Sequence, residues 1–335
     1  MINPPLLLRT GDKKMIEFKH VNKSYGDQTI IHDLSLSIES GKITVVIGLS
    51  GSGKSTLLKM INRLEPFNSG SIFFRNQDIL TYKPEDLRRR MGYAIQSNGL
   101  FPHWNVAKNI ATVPRLLGWD KEIIDRRVDE LLIMLNLDPV YYRKRMPHQL
   151  SGGQQQRVGV ARAMAAKPEI LLMDEPFGAL DPITRKNMQT ELRRIHQHDG
   201  KTILLITHDI DEALYLADHI VLIDKGTILQ QGSPLKVLTE PTNAFVREFF
   251  GQKSRGLKIL SRLPIQAILR PENSAATSVT IEHTATLADA LSSFIAERTS
   301  VLAVSNQYGE NIGHIKLNDI FSFNNHSIDP HAYVS

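Results

Sequence analysis

The segment that most restricts how this chain can fold is Gly48-Leu49-Ser50-Gly51-Ser52-Gly53-Lys54-Ser55-Thr56, which reads G-x-x-x-x-G-K-[ST]. Its flanks are what such a loop requires. Ile43-Thr44-Val45-Val46-Ile47 is a β-branched apolar run of the kind found in a strand buried on both faces of a parallel sheet. On the other side Leu57, Leu58, Ile61 and Leu64 recur at helical spacing. A strand, a glycine turn and a helix in that order aim backbone N–H groups and the positive helix end at one point, where a polyphosphate can sit. Lys54 then reaches the outer phosphates, and the Ser55 hydroxyl is a ligand for Mg²⁺.

Composition narrows the rest. Forty Lys and Arg against thirty-five Asp and Glu leave +5 over 335 residues, enough for an anionic ligand or a membrane-facing surface but too little to argue for nucleic acid. Without cysteine the chain has no disulfides and no thiolate metal site. No apolar run approaches the roughly 20 residues that span a bilayer, so a membrane role is expected to be peripheral and through a partner. Residues 1–14 read as an N-terminal extension. Met15 is a candidate start, which mass spectrometry of the native protein would test.

Residues 15 to about 47 alternate apolar and polar positions around Tyr25-Gly26-Asp27-Gln28 and suggest a small antiparallel sheet. Tyr25 can stack on a base or simply pack in the turn. Arg88-Arg89-Arg90 reads as a solvated face. Met91 to Ile95 is strand-like and ends on Gln96, before the loop Gly99 to Trp104. Helical stretches follow at 109–117 and at 123–135, where Ile123, Ile124, Val128, Leu131, Leu132 and Leu135 share a face. Ser151 then has N-cap chemistry ahead of Gly152-Gly153-Gln154, a second possible anion site or merely a turn. Ile170 to Met173 is a buried strand ending in Asp174-Glu175, and Thr202 to Ile206 is another, ending before Thr207-His208-Asp209. Carboxylates and a histidine at such strand ends lie where open α/β sheets bind ligands. His196-Gln197-His198 has no further ligand cluster beside it, so a metal-hydrolase reading is remote.

The phosphate loop, a strand-end Gln96, Leu150-Ser151-Gly152-Gly153-Gln154, Asp174-Glu175, Gly178-Ala179-Leu180-Asp181 and His208, in this order, resemble the ATP-binding-cassette (ABC) ATPases over residues 15–251. Gly178 stands where many relatives have Ser. The resemblance implies an α/β fold with a mixed-sheet core, an antiparallel β subdomain and a helical subdomain at about 97–160. It implies ATP and Mg²⁺ as ligands and a head-to-tail homodimer. Tyr25 would stack on adenine, and Gly48 to Thr56 would hold the phosphates. Ser55, Gln96 and Asp174 would serve Mg²⁺, while Glu175 would polarise the attacking water and His208 steady the γ-phosphate. Ser151, Gly152, Gly153 and Gln154 would complete the site of the partner copy, and Asp181 would link the two sites.

Met91 to Pro114, with Pro147-His148-Gln149, looks like the ATPase subunits of importers for quaternary-ammonium osmoprotectants such as glycine betaine and choline. That likeness implies polytopic permease subunits and, indirectly, a substrate-binding protein. The alternatives are an importer of another small polar solute and a soluble, non-transport ABC ATPase. Residues 236–251 suggest one closing helix and 252–262 a linker. Residues 263–322 resemble a single cystathionine-β-synthase-type (CBS) repeat, a small α+β domain, with Lys316 where nucleotide-binding repeats usually carry Thr or Ser. Residues 323–335 are left as a tail.

Overall fold

Three neighbouring five- or six-residue strands of one sheet, without a single exposed side chain, anchor the fold. They are β3 (Ile43–Ile47), β7 (Ile170–Asp174) and β8 (Thr202–Thr207). The computed structural model describes residues 13–95, 99–251, 254–271 and 279–322, and the chain divides into two compact units, 1–234 and 235–335.

In the first unit β1 (Lys14–Tyr25), β2 (Gln28–Glu39), β4 (Ser69–Phe74) and β5 (Gln77–Asp78) form an antiparallel sheet in the order β2-β1-β4-β5. A second, six-stranded sheet runs β10-β9-β3-β8-β7-β6, its remaining strands being β6 (Met91–Ala94), β9 (His219–Asp224) and β10 (Thr227–Gly232). Strands β6, β7, β8, β3 and β9 are parallel, and β10 returns antiparallel at the edge. The mixed sheet and the antiparallel subdomain match the fold implied by the family resemblance. A continuous apolar core joins the two sheets, from Ile16, Phe18 and Phe74 to Val46, Leu172 and Ile206 around the phosphate-loop helix.

That helix, α1 (Lys54–Ile61), buries Leu57, Leu58 and Ile61. The helical spacing overruns the helix: Leu64 is 51 % exposed, because Asn62 caps α1 and Arg63 turns to a left-handed φ of 55°. Arg63 is held there by bonds to the Ile79 and Tyr82 carbonyls. The arginine cluster at the end of α2 (Pro84–Arg89) is corrected at one position, Arg90. Arg88 donates to the Asn62 and Arg63 carbonyls, and Arg90 pairs with Glu169 and lies over the Phe74 ring. Arg88 and Arg89 stay exposed, as a solvated face requires, and only Arg90 is drawn in.

The stretch expected as one helix over 109–117 is two, α3 (Val106–Ile110) and α4 (Thr112–Leu116). Pro114 has no N–H to continue the ladder back to Ile110. Asn109, fully buried, accepts from the Phe101 amide and donates to the Phe101 and Trp104 carbonyls, so one side chain fixes the Gly-Pro loop. Helix α5 (Lys121–Met134) buries Ile124, Val128, Leu131 and Leu132, while Ile123 faces outward at the edge of the stripe. A short α6 (Pro139–Tyr142) leads to α7 (Gly152–Met164), and α8 (Pro182–Asp199) and α9 (Ile210–Leu216) complete the unit.

The second unit begins upstream of the boundary expected at Gly251, because Leu235 packs against its core. The single closing helix expected there is broken into α10 (Pro234–Thr239) and α11 (Ala244–Phe249) around Pro241. The expected linker contains α12 (Arg255–Leu260), whose Ile259 and Leu260 reach the same core. Strands β11 (Thr280–Glu282), β12 (Val301–Ser305) and β13 (Asn311–Lys316) form a small sheet in that order, parallel then antiparallel. Helix α13 (Leu287–Ala296) buries Leu287, Ala290 and Phe294, and α14 (Leu317–Ser322) follows β13 directly.

Candidate functional site

Parallel register gathers the site. Asp174 stands opposite Ile206, and Ile47 opposite Thr207, so the loop after β3, the carboxylates after β7 and His208 after β8 share one rim of the sheet. At two positions the loop before α1 admits only glycine. A Cβ on Gly48 would lie 1.9 Å from the Ile223 carbonyl oxygen, and one on Gly53 would lie 2.6 Å from Ile31 Cδ1 at a φ of 96°. Gly53 caps α1 without a side-chain acceptor, which leaves the first-turn amides for an anion.

Lys54 curls back over the loop. Its Nζ donates to the Gly48 and Leu49 carbonyls at 2.9 and 2.7 Å and lies 3.4 Å from Ser52 Oγ. Burial lowers its pKa, opposed by the charges of Glu175 and Asp174. The Ser55 hydroxyl donates to Asp174 Oδ1 at 3.0 Å. Burial raises the Asp174 carboxyl, with the Ser55 bond pulling the other way. Leu49, Ser50 and Gly51 are exposed, and Thr56 lies within hydrogen-bonding reach of Tyr25. Tyr25 is half exposed, with Lys23 Nζ 4.3 Å from the centroid on one side of its ring. Gln96 lies outside the described residues.

Glu175 is a non-glycine residue at φ 46°, a left-handed geometry that costs roughly 1–3 kcal/mol and is concentrated at working sites. Its Oε1 is 3.2 Å from His208 Nδ1. The two groups are 33 positions apart in sequence and adjacent in space.

Ser151 closes a capping box with Gln154: Ser151 Oγ accepts from the Gln154 amide, and Gln154 Oε1 accepts from the Ser151 amide at 2.9 Å. Such caps are worth about 1 kcal/mol. Ser151 and Gly152 remain exposed and Gly153 half-buried, so the turn is presented outward from this chain. Asp181 has a local duty as N-cap of α8, accepting from the Thr184 amide at 3.0 Å, and these bonds lower its carboxyl pKa. His196 is committed to Asp218 and to the Lys201 carbonyl, and no cluster of metal-binding side chains occurs among the described residues. A hard cation held by one hydroxyl, one carboxylate and phosphate oxygens needs no such cluster, so the Ser55–Asp174 pair fits Mg²⁺.

The sequence reading missed the supports behind this rim. Arg185 bonds the Leu180 carbonyl at 3.2 Å and pairs with Asp209 at 3.5 Å. Gln156 reaches both Glu175 and Ala179. Glu212 is buried on α9, and burial with the Asp209 charge beside it pushes its carboxyl up to about 8, against bonds from Thr207 and Gln189 and the charge of Arg185. The signal for Glu212 in the sequence was only its place four residues after the strand-end histidine.

A carboxyl raised from 4.5 to about 8 gives stability that is complete below pH 4.5 and is lost as pH rises through 8. Glu212→Gln, neutral at every pH, is expected to flatten that decline. Melting temperatures of parent and variant at pH 6 and pH 9 check it; an equal alkaline drop in both would remove Glu212 as its source.

A family model for "ABC transporter" matches residues 31–178. The chain is 55 % identical over 306 residues to the glycine betaine uptake system ATP-binding protein YehX of Escherichia coli (strain K12), covering 91 % of this chain and 99 % of that one. It is 44 % identical to the glycine betaine/carnitine/choline transport ATP-binding protein OpuCA of Bacillus subtilis (strain 168), over 87 % of this chain and 75 % of OpuCA. Among solved structures, the dimeric structure of MJ0796, a bacterial ABC transporter cassette, superposes with a TM-score of 0.61 at 31 % identity, over 66 % of this chain and 99 % of that one. With the phosphate loop, the strand-end carboxylates and the capped serine-glycine turn in place, this chain belongs to the ABC transporter family as an ATP-hydrolysing, ATP-binding subunit.

Proposed function

We propose that two copies pair head to tail around two ATP molecules and drive import of a quaternary-ammonium osmoprotectant of the glycine betaine and choline type. The observation that carries the pairing is the outward presentation of the Ser151 turn. It is a pre-capped, amide-rich helix start whose Ser151 side chain is engaged, among the described residues, only in its own cap, while a phosphate loop is built elsewhere in the same chain. One copy's turn then completes the other's site. The same assembly is supported by the dimeric cassette it resembles.

Within each site Lys54 and the α1 amides bind the phosphates, and Tyr25 offers its open ring to the adenine. Ser55 and Asp174, with Gln96, would hold Mg²⁺, which supplies charge neutralisation between the outer phosphates when bound. Glu175 accepts a hydrogen bond from the attacking water, and His208, beside it, steadies the γ-phosphate. Ser151 and Gly153 of the second copy close over the nucleotide. Phosphoryl transfer asks mainly for positioning and charge, and these groups provide both. Asp181 would carry the state of one site to the other.

The chain would act on the cytoplasmic face of a membrane, docked to polytopic permease subunits that receive solute from a binding protein. No helix among the described residues is long and apolar enough to cross a bilayer. A cleft of about 340 Å³ lined by Arg89, Tyr93, Phe101, Thr112, Val113 and Arg162 suits a short permease helix. The solute assignment rests on the named relatives. The 263–322 domain is read as one CBS-like repeat that pairs with its counterpart or stabilises the dimer. There the Asp319 carboxylate is forked by Arg270 at 2.9 and 2.6 Å.

Ser151→Arg is expected to leave ATP binding to the isolated chain near parental and to cut hydrolysis by about a hundredfold or more, as loss of a transition-state donor does. ATPase assays and sedimentation with ATP check this, and undiminished turnover would end the shared-site reading. Uptake of labelled betaine, choline and proline, with and without this subunit, tests the solute. Uptake of proline alone would reassign it.

A further inference from the structure

We infer that Gln156 is a positioning residue that ties the Ser151 turn to the Glu175 carboxylate within one chain. The inference rests on the proposed role of Glu175 at the attacking water. Gln156 sits five residues after Ser151 on α7 and is 6 % exposed. Its Nε2 donates to the Glu175 carbonyl at 3.0 Å, and its Oε1 accepts from the Ala179 amide at 3.2 Å. Only one orientation of the amide serves both partners, since a carbonyl needs the NH₂ and an N–H needs the oxygen.

The segment it grips is the one that aims the carboxylate. Glu175 is held at φ 46°; its own amide donates to the Ile206 carbonyl at 2.9 Å, and its carbonyl also receives the Gly178 amide at 3.3 Å. Gly153, in the first turn of α7, lies so close to this turn that a Cβ would come within 3.0 Å of Leu180 Cδ2. The same helix therefore presents Ser151 outward and holds the backbone of Glu175 inward. When the Ser151 turn engages the nucleotide bound by the second copy, any displacement of α7 is transmitted to the Glu175 peptide through one buried amide. Each chain's own carboxylate is thereby aligned according to what its turn touches on the other.

Gln156→Met keeps the length and burial of the side chain and removes both hydrogen bonds. The expected result is a fall in kcat of about tenfold or more, since small misplacements of a catalytic group are costly. KM for ATP should change less than about twofold, with ATP-driven dimerisation retained. Gln156→Glu supplies a distinct readout. Its buried carboxyl can donate to the Glu175 carbonyl only when protonated, so the ratio of its kcat to the parental kcat should rise as pH falls from 8 to 6. Thermal unfolding monitors the fold, and if Gln156→Met does not fold, the pH ratio of Gln156→Glu decides. Parental kcat in Gln156→Met, a loss confined to KM and dimerisation, or a ratio independent of pH would each overturn the inference. Glu175→Gln runs in parallel: if it stays active the role of Glu175 fails, whereas an inactive Glu175→Gln beside a fully active Gln156→Met removes only the coupling through Gln156.

Discussion

Glu175→Gln is expected to bind ATP with near-parental affinity, lose at least about a hundredfold in turnover and accumulate as an ATP-bound dimer. The phosphate-holding groups are untouched by the exchange: Lys54 keeps its bonds to Gly48 and Leu49, and Ser55 keeps Asp174. What is lost is the carboxylate oxygen 3.2 Å from His208, replaced by an amide that cannot draw a proton from water. General bases contribute roughly 10²–10⁴ in rate. Removing the Glu175 charge also removes one of the two charges that favour the Lys54 ammonium, while Asp174 remains to support it. Phosphate release, nucleotide binding by dialysis and sedimentation with ATP are the measurements. Near-parental hydrolysis would take Glu175 out of the chemistry.

Lys54→Ala is expected to act earlier, on binding. The ammonium is held by two carbonyls, with a serine hydroxyl at 3.4 Å, inside a loop made of its own sequence. It is thus delivered to the phosphates already ordered, without the entropy a free lysine would lose. Hydrogen bonds to charged groups contribute about 1.5–3 kcal/mol each. Two such bonds to the outer phosphates correspond to roughly 10²–10⁴ in affinity. Alanine also leaves the Gly48 and Leu49 carbonyls without their buried partner, so a loosened loop adds to the loss. Titration with ATP gives the affinity and a melting curve gives the fold. A folded variant with unchanged ATP affinity would show that the loop amides alone hold the phosphates.

Local chemistry was legible in the residues wherever a few neighbours decide the outcome. The β-branched run before Gly48 could be buried only as a central strand, and the serine-glycine turn forms the capping box that Ser151 and Gln154 allow. Periodicity misled where it continued past a stop it does not encode. Leu64 keeps the spacing of α1 after Arg63 has turned left-handed, and the 236–251 stretch reads as one helix although Pro241 divides it. The charge run misled at one position: Arg90 looks solvated in sequence, yet it is half-buried and its partner, Glu169, comes from another element.

Sequence alone therefore determined the phosphate-loop motif, the capped turn and the identity of the strand-end groups, which are written within a dozen residues, and it marked the buried strands, because an unbroken β-branched apolar run is excluded from the surface. Tertiary structure decided that Glu175 meets His208, that Gln156 grips the Glu175 carbonyl and that Glu212 is kept neutral. Those outcomes depend on the strand order β3-β8-β7 and on which side chains the packed helices shut away from water. Distance and desolvation between segments far apart in the chain have no local signature.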